Sequence, residues 1–234
     1  MTDPIPAASR PAFLFDLDGT LIDSVYQHVI AWRKALGSVG IDLPVWKIHR
    51  RIGMSGGLFV AALAREIDHP LTPEEVRQIG DRHAEYFAPL AGDVHVLPGA
   101  KDLLRTLTEQ KVPWAIATSG QIRSARDGLE KLGVLDGPAP IITRDLVRYA
   151  KPDPDLFLAA AGKLDIDIRD AWVVGDSIWD LLAAQRARAL GIGVRSGGYG
   201  SDELLGAGAY RVYNDPADIL DHLHELGVRQ VANP

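Results

Sequence analysis

From Pro98 to the C-terminus, short apolar runs alternate with helical stretches, an order that few folds accommodate. KDLLRTLTEQ reads as helix, PWAIATS as strand, IRSARDGLEKLG as helix and PIIT as strand. DPDLFLAAAGKL (helix), AWVVGDS (strand), DLLAAQRARAL (helix) and GIGVRS (strand) follow. A short DELLGAG helix, the strand YRVY and a last helix from about Pro216 complete the chain. Strands that are apolar throughout and separated by helices belong to a parallel sheet covered on both faces. Near the N-terminus, AFLFD has the same character and would join that sheet.

Between this first strand and the rest, residues 25–90 read as helical. S-V-Y-Q from Ser24 to Gln27 matches a capping box, and Val25, Val29, Trp32 and Leu36 follow at helical spacing. That pattern ends around Gly37 to Gly40. A second helix is predicted over residues 55–67 and a third from Thr72 to about Leu90, where T-P-E-E offers a cap and a first-turn proline. The expected architecture is therefore a doubly wound α/β core, residues 1–22 and 93–234, with an inserted all-helical cap, residues 23–92. Hinges are expected near residues 20–24 and 91–98. The eleven-residue start, with its three prolines, reads as a loose leader.

Composition narrows the function classes. A net charge of −6 argues against nucleic acid or an acidic membrane as the main partner. The absence of cysteine excludes disulfides, zinc–thiolate sites and a cysteine nucleophile. Neither a signal peptide nor a run of transmembrane length is visible, so a cytoplasmic soluble protein is expected.

Polar groups gather where the predicted strands end, the place where open α/β sheets bind ligands. The first strand ends in Asp16-x-Asp18-Gly-Thr, another in Thr118-Ser119-Gly120, and a third in Asp176 with Asp180 four residues on. Lys151 lies in the loop YAKPDP after PIIT. Asp16 and Asp18 would point to one side of a strand and repel each other. With Asp176 they offer hard oxygen ligands for Mg²⁺, which relieves that repulsion. Thr118, the Ser119 amide and Lys151 suit a phosphate, and Asp180 suits holding a metal-bound water. Gly19 would let the chain turn sharply behind Asp18. Each feature has a plainer reading: an ordinary Asp-Gly turn, a helix cap at Thr118-Ser119, a solvated Lys151, a dipole partner in Asp180. Asp176 alone resists one, because an unpaired carboxylate after AWVVG is costly.

The ordered set DxDGT, strand-Thr-Ser, Lys before Pro and GDxxxD resembles the haloacid dehalogenase-like hydrolase superfamily, from Phe13 to about Leu226. The insertion after the first motif is similar to a C1 cap, and the branch resembled is that of β-phosphoglucomutase-like and phosphoglycolate-phosphatase-like members. The resemblance implies that Asp16 is a nucleophile forming an aspartyl-phosphate and that Asp18 is the acid/base. It implies Mg²⁺ held by the Asp16 and Asp176 side chains and the Asp18 carbonyl, with Thr118 and Lys151 on the phosphoryl oxygens. His28 and Trp32 match a spacing in the phosphoglucomutase-like relatives. In the cap loop of residues 50–57, Ser55 and Arg50 or Arg51 are candidates for contact with the rest of the substrate. His49, His69 and His83 show no metal-ligand spacing and need no special role. Gly56 and Gln121 stand where the phosphoglucomutase-like relatives carry Arg and Lys, which favours a singly phosphorylated substrate. The expectation is a Mg²⁺-dependent phosphatase acting on a small phosphorylated metabolite, a sugar phosphate or phosphoglycolate-like. Its rivals are a phosphomutase and a non-catalytic binding protein of the same fold.

Overall fold

The computed structural model describes residues 11–65 and 71–228, and in it the predicted strands form one parallel sheet. In chain order the strands are β1 (Ala12–Phe15), β2 (Ile22–Asp23), β3 (His95–Val96), β4 (Trp114–Ala117), β5 (Ile141–Ile142), β6 (Ala171–Gly175), β7 (Leu190–Val194) and β8 (Ala209–Tyr213). The helices are α1 (Val25–Gly37), α2 (Val45–His49), α3 (Gly56–Ala64), α4 (Pro73–Phe87), α5 (Ala100–Glu109), α6 (Ile122–Leu132), α7 (Asp155–Leu164), α8 (Ile178–Ala187), α9 (Ser201–Gly206) and α10 (Pro216–Asp221).

The sheet order is β5-β4-β1-β6-β7-β8, with every neighbouring pair parallel. Strand β1 lies at its centre and is buried on both faces. Phe13 and Phe15 enter one core with Ile116, Val174 and Ile192, under α5, α6 and α10. Ala12 and Leu14 enter the other with Ala115, Ala117 and Val173, under α7 and α8. This two-sided burial is why AFLF shows no polar alternation. After β1 the chain builds outward first through β4 and β5, then through β6, β7 and β8. The order therefore reverses between β1 and β6, and the crevice beyond their carboxyl ends is the ligand position of such sheets. Phe15 pairs with Val174 across that boundary, so Asp16 and Asp176 follow two adjacent strands into the same crevice.

Helices α1 to α4 pack around a core of their own that includes Val29, Trp32, Leu36, Ile48, Phe59, Leu63 and Ile79. Thr72 caps α4 in a capping box with Glu75, as T-P-E-E predicts. The box expected at Ser24 does not form. Ser24 donates to Asp18 instead, a charged and therefore stronger acceptor, and Gln27 donates to the Asp93 carbonyl. The predicted helix over 55–67 is α3; residues 66 and 67 lie outside the described segment. The two chain crossings between sheet and cap, expected as hinges, run side by side as a two-residue antiparallel ribbon of β2 and β3. Among the described residues, no helix is long and apolar enough to cross a membrane.

Candidate active site

Asp16, Asp176, Asp180 and Lys151 come together in the crevice, each almost completely buried. Asp16 extends β1, its N–H donating to the Val174 carbonyl at 2.8 Å. Asp176 directly follows β6. Asp180 sits in the first turn of α8, where Ser177 donates to its Oδ2 through both backbone N–H and hydroxyl. Lys151 reaches in from the loop before α7, pairing with Asp16 and lying 2.8 Å from Asp180 Oδ1. The Thr20 hydroxyl stands between Asp16 Oδ2, at 3.3 Å, and Asp176 Oδ1, at 3.4 Å.

Three carboxylates and one ammonium leave this buried cluster with an excess of negative charge. Burial raises the Asp16 carboxyl to about 7, Lys151 pulling it down while Asp180 and Asp18 push it up. Burial likewise lifts Asp176 well above the usual range, with Asp180 and Asp16 adding repulsion. At Lys151 burial opposes the charge, yet the neighbouring Asp16 and Asp180 outweigh it and hold the ammonium charged. One oxygen each from Asp16, Asp176 and Asp180 lie within 4.8 Å of one another. Asp180 Oδ1 lacks a hydrogen bond of good geometry despite the nearby Lys151. An all-oxygen, over-charged set with an unsatisfied ligand atom fits a hard divalent cation.

The backbone is shaped around Asp176. Gly19 has φ of +80°, and a Cβ there would lie 2.6 Å from Asp176 Oδ2 and 2.6 Å from Val25. The left-handed conformation and the close approach both require glycine at this turn.

Asp18 points elsewhere. Its Oδ1 accepts from the Ser24 hydroxyl at 2.6 Å and lies 3.2 Å from His28 Nε2, and its Oδ2 is 3.5 Å from the Thr118 hydroxyl. Burial opposes its charge, but His28 and Ser24 prevail and hold the carboxyl below its ordinary value. Thr118 Oγ accepts from the Gly120 N–H at 2.9 Å and does not cap α6, whose N-cap is Gln121. The Ser119 hydroxyl is buried without a partner among the described residues.

These groups open on a cavity of about 620 Å³ between sheet and cap. Asp16, Asp18, Thr118 and Ser119 line the core side; His28, Trp32, Arg51, Ser55, Phe59 and His83 line the cap side. The two candidate arginines diverge. Arg51 lines the cavity, whereas Arg50 turns to the core, pairing with Glu203 and lying over the Tyr199 ring. Gly56 and Gln121 line it too, alongside Arg77, which pairs with Glu74, Arg123, which pairs with Asp81, and Arg144.

Several contributors carry no sequence signal of their own. Thr20 was visible only as the end of DGT, and Ser177 only as an unnamed position of GDxxxD. His83, which sequence spacing leaves without a role, lies 3.1 Å from His28. The Ser177–Asp180 capping box could have been found from S-x-x-D after a strand.

A Rossmann-ordered sheet with buried carboxylates at its switch point defines an α/β enzyme whose chemistry lies at the strand ends. The profile of the haloacid dehalogenase-like hydrolases matches residues 11–188, and the chain belongs to that family. It is 32% identical to a phosphoglycolate phosphatase of Rhodospirillum rubrum, over 91% of this chain and 90% of that one. A probable phosphatase, IndB, of Dickeya dadantii is 30% identical over 93% of this chain and 95% of its own. In structure it is similar to a hydrolase from Pseudomonas syringae, with TM-score 0.91 and 50% identity over 93% of this chain and 99% of the other. Within the family the chain is an enzyme, a phosphomonoester hydrolase.

Proposed function

We propose that the chain is a Mg²⁺-dependent phosphatase of a small phosphorylated metabolite, working through an aspartyl-phosphate on Asp16. The observation that carries this is a single cavity holding a buried, lysine-paired Asp16 on its core wall and a separately held Asp18 beside it. Two aspartates two residues apart serve different chemistry when their partners differ.

In the first step an Asp16 oxygen bonds to phosphorus as the P–O bond to the leaving group breaks, and Asp18 donates its proton to the departing alkoxide. In the second, Asp18 accepts a proton from water as the water oxygen bonds to phosphorus, and Asp16 is released as a carboxylate. His28 and Ser24 favour the Asp18 carboxylate that takes the proton from water in the second step, and the proton so gained is the one given to the alkoxide in the next turnover. Lys151 keeps Asp16 oriented, and Thr118 and the Ser119 amide donate to phosphoryl oxygens in this reading. Asp16 and Asp176, with the Asp18 carbonyl, would hold Mg²⁺, and Asp180 would orient it through water; bound there it would offset the negative charge of carboxylates and phosphate. The cap would exclude water in the first step and admit it in the second.

Phosphatases predominate among the named relatives, which also include a β-phosphoglucomutase, and the neutral Gly56 and Gln121 favour a phosphatase as well. A panel of phosphate esters with Mg²⁺ tests the reading: two-carbon acid phosphates, hexose 1- and 6-phosphates and p-nitrophenyl phosphate. Release of phosphate that Asp16→Asn abolishes is the expected result. Bisphosphate-primed isomerisation of a sugar phosphate with little release would favour the mutase, and inertness toward every ester the binding protein.

A further inference from the structure

His83 lies on α4, 55 positions along the chain from His28 on α1, and the two imidazoles meet edge to edge. His83 Nε2 is 3.1 Å from His28 Nδ1, and His28 Nε2 is 3.2 Å from Asp18 Oδ1. The result is a continuous line from a cap helix through a second cap helix to the core carboxylate. Both rings are also held by their faces. Phe87 stacks on His28 with centroids 4.1 Å apart and planes 5° apart, and Trp32 stacks on His83 at 4.0 Å and 18°. Neither ring can turn without giving up a stacking partner as well as a hydrogen bond.

The chemistry of this pair is matched to its neighbour. Burial, with His28 alongside, keeps His83 well below the usual histidine range, so it is a neutral ring. A neutral imidazole has one N–H and one lone pair, and by tautomer it can give or take the bond to His28 Nδ1. When His83 gives that bond, His28 Nδ1 accepts it and the His28 proton sits on Nε2, directed at Asp18. The Asp18 side chain is 22% exposed with His28 in place, and lacking His28 it would keep only the Ser24 bond and a 3.5 Å contact to Thr118.

We propose that His83 is a positioning residue of this active site, fixing the His28 ring that holds the Asp18 carboxylate. The inference rests on the reading of Asp18 as the acid/base. Because both histidines belong to the cap and Asp18 to the core, the pair also ties the acid/base to the seating of α1 and α4.

The experiment compares His83→Phe, which keeps a ring against Trp32 but loses the bond, with His83→Gln, which keeps a group able to donate or accept. Each is measured alone, and His83→Phe also in a His28→Ala background. kcat/KM is taken with Mg²⁺ for p-nitrophenyl phosphate and for the fastest alkyl ester of the panel. An aryl leaving group departs with little help from an acid, whereas an alkoxide requires the proton. His83→Phe is expected to lower kcat/KM about 10-fold on the alkyl ester and clearly less on the aryl ester. His83→Gln should restore most of that loss, and His83→Phe should add nothing once His28 is alanine. Equal losses on both esters, a further loss in the His28→Ala background, or matching losses and melting temperatures for Phe and Gln would overturn the inference. A wild-type protein inert toward every ester would overturn the underlying reading instead.

Discussion

Gly197 packs its α-carbon against the Asp176 carboxylate: a Cβ built there would lie 1.6 Å from Oδ2 and 2.4 Å from Cγ. The obstacle is a side chain that must keep its place, so substitution displaces the carboxylate and not the backbone. Gly197→Ala should leave a folded protein whose apparent affinity for Mg²⁺ falls about 10-fold or more, with activity falling in parallel. Titration of activity against Mg²⁺, beside a circular dichroism melt, checks this. Unchanged metal dependence would mean that Asp176 does not hold the ion.

The raised carboxyls make a prediction for the metal-free protein. Between the unfolded value of 3.8 and about 7, folded Asp16 keeps a proton that the unfolded chain has released. Stability from such a group is present below the unfolded value and is lost as pH rises through the folded one. Asp176, shifted in the same direction, behaves alike. In EDTA, Asp176→Asn should therefore be more stable than wild type at pH 8, by roughly 1–3 kcal/mol, and close to it at pH 4.5. Excess Mg²⁺ should reverse the order at pH 8, since it binds the folded wild type and stabilises it by mass action. Denaturation midpoints across pH, with and without Mg²⁺, give the comparison.

How far the sequence revealed this site follows from where each residue's partners lie. Asp16, Thr118 and Asp176 were legible because each ends an apolar strand, and strand ends in a parallel sheet share one edge. The ribbon of β2 and β3 was not, because two-residue strands carry no period. Thr20 bonds to Asp176 across 156 positions, a distance at which no local pattern exists. Ser24 misled for the opposite reason. Its local pattern was a good capping box, and a charged acceptor from outside that pattern took the hydroxyl.

Among the described residues, Lys151 is the sole cation of the buried cluster, beside Asp16 and Asp180. Removing one partner of a buried ion pair costs far more than the pair itself contributes, because the remaining charge is stranded. Lys151→Met should lower stability by about 3–5 kcal/mol and activity by about 10²–10³-fold. Adding Asp180→Asn should recover part of the stability by removing one stranded carboxylate, without recovering activity. Urea denaturation and ester hydrolysis on the single and double variants separate the two effects. Activity returning with stability would reduce Lys151 to a structural counter-ion.

Ser24 immediately precedes α1, yet it makes no capping bond, and its hydroxyl donates to Asp18 at 2.6 Å. The two possible roles respond differently to substitution. For a helix cap, aspartate is as good as serine, and alanine would cost about 1 kcal/mol with no effect on catalysis. For a donor to Asp18, alanine removes a charge-assisted bond and aspartate sets a second carboxylate against the first. Ser24→Ala should therefore lower kcat/KM about 10-fold, Ser24→Asp should lower it further, and Ser24→Thr, which keeps the donor, should lose least. A Ser24→Asp variant with full activity would return the residue to the capping role that its sequence context first suggests.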